Sequence, residues 1–219
     1  MSINLVTTVK SDGGSDTTAS LTIAAGVKVL VVAVNYDKGD GTTVLTSITW
    51  NSNPMTILFH TVEGVQALAT AYMFNPEVGT FNVTAGYNQA IGVNQVMAAT
   101  FSGSVNTTTI GGSNSNQASG SPDNISVTVT VQGARGLIVQ SFGGSRVASS
   151  TFGAGQTSIE NWVYSGALEY NAAMSYEAHT GSNVTVEQEN MTGISSNTRK
   201  HIHALELLPS AFVPHVQLV

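Results

Sequence analysis

The chain has 219 residues, no cysteine and a formal net charge of −6 at pH 7. The absence of cysteine excludes disulfides, thiolate metal sites and thiol nucleophiles. Only seven lysines and arginines are present, and they are scattered along the chain, so a phosphate-binding surface for nucleic acid is not expected.

Charged residues make up 9% of the chain, against roughly 25% in ordinary soluble domains. A surface solvated by hydroxyl and amide groups is typical of extracellular, adhesive or assembled proteins, because low charge weakens repulsion between copies. The N-terminal residues lack a basic segment followed by an apolar run, so we expect no Sec-type signal peptide. No stretch approaches the roughly 20 apolar residues of a membrane helix, so we expect no membrane partner.

The first part of the chain predicts strands. Residues 29–34 form a continuous β-branched run, which is typical of a strand buried on both faces. Residues 67–73 could be helical by propensity, but neighbouring segments alternate at period two and favour a strand. We therefore predict a first β half over residues 1–110. Its other predicted strands are residues 20–23, 47–50, 55–62, 80–85 and 93–101.

The same plan recurs in the predicted second β half, residues 125–209. Residues 21–32 align with residues 129–140 at an offset of 108 (129 − 21). Four ordered matches of this kind indicate duplication, or two pseudo-symmetric halves of one fold. The other three matches are residues 67–73 with 167–174 at an offset near 101 (174 − 73), residues 81–84 with 182–185 at the same offset, and residues 95–101 with 201–207.

Two segments lie outside the halves. Residues 111–124 are rich in glycine, serine and asparagine and predict a loop or crossover connection, because they bury little apolar area. Residues 210–219 form an apolar tail, which we expect to dock on the body or on a neighbouring protein. The expected contact residues of this tail are Phe212, Val213, Val216 and Leu218. The sequence leaves open whether the halves form one compact domain or two closely packed subdomains.

Several short motifs resemble one known kind of module. They are the turn Asn75-Pro76 before Gly79-Thr80, the strand end Phe101-Ser102-Gly103, the loop Gly153-Ala154-Gly155-Gln156-Thr157 and the pair Leu208-Pro209. Over roughly residues 18–209 the chain resembles a jelly-roll-type β-sandwich module of phage virion proteins and bacterial surface proteins. The resemblance implies an all-β, jelly-roll-like β-sandwich with two pseudo-symmetric halves, and it brings no catalytic residues.

The first functional hypothesis is a non-enzymatic virion structural protein of a bacteriophage, such as a capsid decoration or cement protein or a fibre component. The resemblance, the low charge and the apolar tail favour it. Its partners would be copies of itself and other virion proteins, such as the major capsid protein, at the virion surface. Each interface would bury on the order of 1,000 Å² or more.

The alternative is a carbohydrate-binding or adhesion module that attaches a particle or a cell to host-surface glycans. Its binding face would combine polar side chains with exposed aromatic rings, and the candidate ligand-binding residues are Glu169, Tyr170, Tyr176 and Glu187. The pair Glu187 and Glu189 could also support glycosidase chemistry, but this spacing is common on strand surfaces. We therefore predict no enzyme.

Two groups could bind a metal but favour simpler interpretations. His201 and His203 face the same side of a predicted strand, so both imidazoles could reach one ion, yet a solvated strand face explains them as well. Asp37 and Asp40 lie in a glycine-rich segment that predicts a hairpin turn more readily than a calcium site. We predict no metal and no cofactor.

Overall fold

The computed structural model describes residues 2–13, 18–38, 42–165 and 169–210. Every regular element in these ranges is a β-strand, which confirms the all-β prediction. The strands are β1 (Ile3–Gly13), β2 (Thr18–Ile23), β3 (Val27–Asp37), β4 (Leu45–Trp50), β5 (Asn53–Pro54), β6 (Thr56–Glu63), β7 (Gln66–Phe74), β8 (Gly79–Tyr87), β9 (Val93–Gly103), β10 (Ser113–Ser119), β11 (Ile125–Val129), β12 (Gly136–Ser145), β13 (Ser149–Phe152), β14 (Thr157–Ser165), β15 (Glu169–His179), β16 (Val184–Thr192) and β17 (Arg199–Leu207).

The strands form four antiparallel sheets that stack as layers. The first inner sheet has the order β1-β9-β3-β7-β6, and the first outer sheet, β2-β8-β4-β5, covers one of its faces. The second inner sheet, β10-β17-β12-β15-β14, is covered in the same way by the second outer sheet, β11-β16-β13. The two inner sheets pack face to face, so the layers follow the order outer, inner, inner, outer.

The two halves share one strand topology. If the two-residue β5 is left aside, each half contributes eight strands. In both halves the first, eighth, third, sixth and fifth strands lie in that order in the inner sheet, and the second, seventh and fourth form the outer sheet. This is a jelly-roll arrangement in which the fifth strand has joined the inner sheet. The predicted jelly-roll-like sandwich with two pseudo-symmetric halves is therefore confirmed.

Strand pairing corrects two parts of the predicted repeat. The pairs Leu21–Phe81 and Val129–Val184 show that β8 and β16 correspond at an offset of 103 (184 − 81), so the offset of 101 predicted for residues 81–84 was wrong. Asp37 pairs with Gln66, and Ser145, which lies 108 residues later (145 − 37), pairs with Tyr170. The strands β7 and β15 therefore correspond at an offset of 104 (170 − 66), and the offset near 101 predicted for this segment was wrong. Because successive strand residues face opposite sides, an odd error of this kind exchanges the two faces of the strand.

Apolar side chains fill three cores, one between each pair of adjacent layers. Trp50 lies in the first core and Phe142 in the third. The central core contains residues of both halves, among them Val29 and Phe101 from the first and Leu205 from the second. The strands β3 and β12 contribute alternate residues to two cores each, which explains their continuous burial.

Amide side chains replace apolar ones at one end of the central core. Asn35 donates from Nδ2 to Gln95 Oε1 over 2.8 Å, and Gln66 donates from Nε2 to Asn35 Oδ1 over 2.8 Å. Gln66 Oε1 also accepts from the backbone N–H of Ser145, in the other half, over 2.5 Å. Because these amides are buried and paired, they fix the second half in one position against the first.

The connection between the halves also differs from the prediction. Residues 113–119 form β10, an edge strand that pairs with β17, so the predicted loop was wrong for these residues. A strand at the edge of a sheet needs only backbone partners on one side and can leave its side chains in water. The polar composition of this segment is therefore compatible with a strand.

Candidate interaction surfaces

The structure places the two predicted ligand-binding tyrosines against the first half. Tyr170 is buried, and its hydroxyl donates to Asp37 Oδ2. Burial, followed by this contact with the Asp37 carboxylate, raises the pKa of the Tyr170 hydroxyl. Tyr176 is half-buried and packs against the central core from the same strand, β15. Neither ring is presented on an open surface.

The two predicted glutamates lie elsewhere. Glu169 is exposed at the start of β15, near Gly193. Glu187 lies on β16, where its backbone N–H donates to Gln156 Oε1 over 2.8 Å. A side-chain hydrogen bond with Glu189, together with burial, raises the pKa of Glu187. The four predicted residues therefore do not share one face, because the tyrosines point toward the first half and Glu187 belongs to the second outer sheet.

The predicted partner-contact residues Phe212, Val213, Val216 and Leu218 lie outside the described residues, as does Asp40. A mostly apolar cleft of about 420 Å³ lies where the described chain ends. It is lined in part by Leu208, Pro209 and Ser210. A neighbouring pocket of about 230 Å³ shares Pro209 with this cleft.

The histidine pair is buried rather than solvated. His201 and His203 face the first half from β17, and the ring of Phe59 stacks on His203 with 4.6 Å between ring centroids. Burial lowers the pKa of His203 to about 3, and burial together with the charge of Arg199 lowers that of His201 to about 4. The predicted solvated face is therefore wrong. Within the described ranges, no three metal-ligating side chains come together.

Asparagine side chains close the edge formed by β10 and β11. Asn114 Oδ1 accepts from the backbone N–H of Ser115 (2.8 Å), and Asn114 Nδ2 donates to the carbonyl of Thr128 on β11 (2.9 Å). Asn116 repeats the pattern with the N–H of Gln117 and the carbonyl of Ser126, each at 2.8 Å. The two side chains thus occupy backbone groups that an incoming strand would use.

A similar bridge protects β14, at the opposite edge of the second inner sheet. Asn161 Nδ2 donates to the carbonyl of Ser150 on β13 over 2.7 Å. Lys10 of β1 lies over the ring of Trp162 and forms an ion pair with Glu160 (2.8 Å). Polar or charged side chains therefore protect both edges of the second inner sheet from pairing with another strand.

The edge of the first inner sheet at β6 exposes two apolar side chains, Ile57 and Val62, beside the polar Thr56 and His60. Ile57 is 37% exposed and Val62 is 38% exposed, and Val65 in the following turn is 41% exposed. The one formally charged side chain of this strand, Glu63, is directed toward Arg199, with 3.7 Å between Glu63 Oε1 and Arg199 Nε. We call residues 57–65 the β6 edge.

The outer faces of both outer sheets carry paired hydroxyl groups. Thr22 and Thr80 place their Oγ1 atoms 2.8 Å apart on the first outer sheet. On the second outer sheet, Thr128 pairs with Thr185 in the same way at 2.7 Å. Ser149 and Thr192 form a third pair, also at 2.7 Å. We call these surfaces the hydroxyl faces, and they lie at the two ends of the stack of layers.

A shallow groove of about 170 Å³ lies between β6 and β10. Its lining combines the ring of Phe59 with the hydroxyl and amide groups of Thr61, Ser115, Asn116 and Gln117. Gln117 Oε1 accepts from Thr61 Oγ1 over 3.3 Å, which links β10 to β6 across the groove.

None of the described residues forms a helix with the length and apolar character needed to span a bilayer. A comparison with protein-family models, with curated proteins and with solved structures finds no match to this chain. Function must therefore be inferred from the surfaces themselves.

Proposed function

We propose that this protein is a non-enzymatic structural protein of a virus particle, of the capsid decoration, cement or fibre type. It acts through contacts with copies of itself or with a shell protein. The observation that carries this proposal is the set of three hydroxyl pairs on the outer faces of the outer sheets, which are uncharged and hydrogen-bonded to each other. On the second outer sheet these pairs share the face with Glu187 and Glu189 of β16.

Such faces suit repeated protein contact for an energetic reason. Removing a charged side chain from water costs on the order of several kcal/mol, unless an opposite charge or hydrogen bonds in the interface compensate for it. A hydroxyl that already bonds to its neighbour loses less on desolvation, because its hydrogen bond is retained in the interface. The paired hydroxyls can therefore be covered by a flat neighbour at low cost.

The position of the hydroxyl faces supports the same proposal. The two outer sheets lie at opposite ends of the four layers, so each copy offers two contact surfaces that face away from each other. The shared central core and the buried amides between the halves keep these surfaces at a fixed separation. A rigid body with two opposed contact faces is suited to bridging neighbours in a lattice or a fibre.

Sedimentation velocity over a range from about 1 to several hundred µM tests the proposal. We expect association of the wild-type chain, and we expect the exposed substitutions Thr22→Lys and Thr128→Lys to weaken the higher-order species at least tenfold. Asn197→Lys, at an exposed position in the loop between β16 and β17 and in none of the hydroxyl pairs, is the matched control and should leave association unchanged. Wild-type protein without higher-order species over the whole range, or equal behaviour of all four chains, would contradict the proposal.

The groove between β6 and β10 favours a second candidate function, the binding of a host-surface glycan. An aromatic ring can pack against the apolar face of a sugar, while hydroxyl and amide groups bond to its hydroxyls. Phe59 and Gln117 supply these two elements. A glycan array followed by titration of any hit tests it, with Gln117→Ala expected to abolish binding and Asn53→Ala, on the exposed β5, expected to leave it intact. An array without hits rejects this candidate.

A further inference from the structure

The two halves meet along one strand of each, where β6 lies over β17. The ring of Phe59 stacks on that of His203, with 4.6 Å between the centroids and 3° between the planes. Further along β6, Glu63 Oε1 lies 3.7 Å from Arg199 Nε, which is on the same strand as His203. Because the two contacts follow both strands in order, β6 and β17 face each other over this length. We call this contact the β6 seam.

The β6 seam contains two histidines that are buried and poorly paired. His201 is fully buried and His203 is 2% exposed. Within the described part of the chain, neither ring nitrogen of His201 has a hydrogen-bond partner, and Nδ1 of His203 has none. A neutral imidazole carries one N–H donor and one acceptor, so His201 leaves both unpaired. Unpaired buried polar groups are rare and costly, so the seam is a weak point in the contact between the halves.

Few charged groups surround these two rings. Arg199 shares their face of β17, because residues two apart on a strand point to the same side. Opposite them, β6 contributes one carboxylate, Glu63. The neighbouring strands β7, β10 and β12 face the rings with Thr70, Gln117 and Ser141, which do not titrate. Protonation of both histidines therefore sets three positive charges in a row on β17 against a single carboxylate.

Burial disfavours the charged form of both rings while the seam is closed. It lowers the pKa of His203 to about 3, and together with the charge of Arg199 it lowers that of His201 to about 4. An imidazole in water has a pKa of about 6.5. Below that pH, a state that exposes both rings binds protons that the closed seam does not bind, so acid favours the exposed state.

The strand β6 is the element whose movement exposes the rings. It is the edge of the first inner sheet, with β7 as its one hydrogen-bonded neighbour. None of its eight residues is buried, and its pairing with β7 is irregular between Ile57 and Phe59. Elements with few buried contacts open at the lowest free energy. In contrast, β17 lies between two neighbouring strands and is buried along almost its whole length.

We propose that β6 peels away from β7 and β17 in acid, as His201 and His203 take up protons, while the rest of the fold stays closed. The β6 seam is thus a pH-sensitive contact between the halves. The groove lined by Phe59 and Gln117 belongs to the seam, so the opening also takes this groove apart. The hydroxyl faces take no part in the response, which goes beyond the proposed function and stands whether or not the chain associates.

Amide hydrogen exchange of the full chain, corrected for the intrinsic pH dependence of exchange, tests the proposal. Lowering the pH from 8 to 5 multiplies the opening constant by about 30 for each histidine, given their closed-state pKa values. We therefore expect the corrected exchange of residues 57–63 to rise by about 30-fold or more. At both pH values β12 should exchange about tenfold more slowly than β6, or slower still, because only β6 opens locally. No rise in β6, or equal exchange of β6 and β12 at pH 5, would overturn the inference.

Two variants identify the groups that respond. His201→Gln combined with His203→Met replaces both imidazoles with side chains that stay uncharged, and it should abolish the rise in β6. His60→Gln is the matched control, because His60 lies on β6 outside the seam, with its Nε2 2.8 Å from the hydroxyl of Tyr36. Burial also lowers the pKa of His60, but this variant should keep most of the rise. A rise that persists in the double variant, or that disappears in His60→Gln, would assign the response to other groups and refute the proposal.

Discussion

The interiors of the two halves differ although their folds agree. In the first half, the space between the outer and inner sheets is filled by apolar side chains, including Val32, Ala71 and Ala85. The equivalent positions in the second half hold amide or hydroxyl groups. By the strand pairings, Gln140 corresponds to Val32 (140 − 108), Ser175 to Ala71 (175 − 104) and Gln188 to Ala85 (188 − 103).

The polar groups of the second half form a connected network. Gln140 Nε2 donates to Gln188 Oε1 (3.1 Å), and Ser175 Oγ donates to Gln140 Oε1 (2.8 Å). Gln188 Nε2 in turn donates to Ser150 Oγ (2.7 Å), which donates to Asn171 Oδ1 (2.8 Å). The same sandwich can therefore be filled by apolar contact or by satisfied hydrogen bonds, provided that each buried polar group has a partner.

The largest effect is expected when a second-half residue is placed into the first half. Val32→Gln would bury an amide among apolar neighbours without any of the partners that Gln140 has. An unpaired buried amide costs on the order of 4 kcal/mol, to which overpacking adds. Chemical denaturation monitored by tryptophan fluorescence measures the loss. If Val32→Gln left the free energy of unfolding within about 1 kcal/mol of the wild type, the two interiors would be interchangeable.

The histidine pair gives a pH dependence of the same order. The folded-state pKa values of about 4 for His201 and about 3 for His203 lie below the ordinary histidine value of about 6.5. Below pH 6.5 the unfolded chain binds protons that the folded chain does not, so the free energy of unfolding falls as the pH falls toward 4. Near pH 5 the loss is about 2 kcal/mol for each histidine.

The first half supplies matched replacements for both histidines. Leu207 and Phe101 pair with the equivalent residues Leu137 and Val29, so β17 corresponds to β9 at an offset of 106 (207 − 101). His201→Gln and His203→Met introduce the residues found at those positions, Gln95 and Met97. Melting temperatures between pH 8 and pH 4 should fall steeply for the wild type and less for the double variant. Parallel curves would show that other groups, such as Glu177, whose pKa is raised by burial, control the acid response.

The sequence predicts most of the architecture because strand burial leaves a local signal. Period-two alternation identifies the strands around Leu21 and Val83, and the continuous run from Val29 marks a strand covered on both faces. The repeat near residues 21–32 and 129–140 reveals the pseudo-symmetry, because turn and core positions recur with it. These features depend on neighbours in the chain, so the sequence alone displays them.

The surfaces depend on contacts that are distant in the chain. The burial of His203 follows from its position under Phe59, which is 144 residues away (203 − 59). The strand β10 is held by Asn116, whose partner carbonyl belongs to another sheet. The sequence shows which residues of β15 share a face of the strand, but it does not show which layer covers each face. Likewise, the apolar residues of β6 are visible in the sequence, but only the sheet order identifies the strand as an edge.

A smaller effect is expected for the converse of the first substitution. Gln140→Val restores the apolar residue of the first half but deprives three side chains of a hydrogen-bond partner, the half-buried Gln156 and the buried pair Gln188 and Ser175. Those groups remain partly unpaired, and the loss should be about 2 kcal/mol in the free energy of unfolding. A second variant, Gln140→Glu, keeps the shape and replaces the donor, so it should destabilise the protein more at pH 8 than at pH 4. If Gln140→Val were as stable as the wild type, the network would contribute nothing beyond filling space.

The smallest effect concerns the bridge between β10 and β11, which belongs to the second half. Asn116→Ala removes two hydrogen bonds at an exposed edge, so we expect a loss of about 1 kcal/mol in the free energy of unfolding. The substitution also leaves the N–H of Gln117 and the carbonyl of Ser126 without their side-chain partner. The backbone groups at the edge of β10 would then be as accessible as those expected at the edge of β6. We therefore expect faster amide hydrogen exchange at Gln117, with Asn53→Ala as the exposed control. Unchanged exchange at Gln117 would show that the asparagine does not protect the strand, and the contrast between the β10 and β6 edges would then rest on side-chain polarity alone.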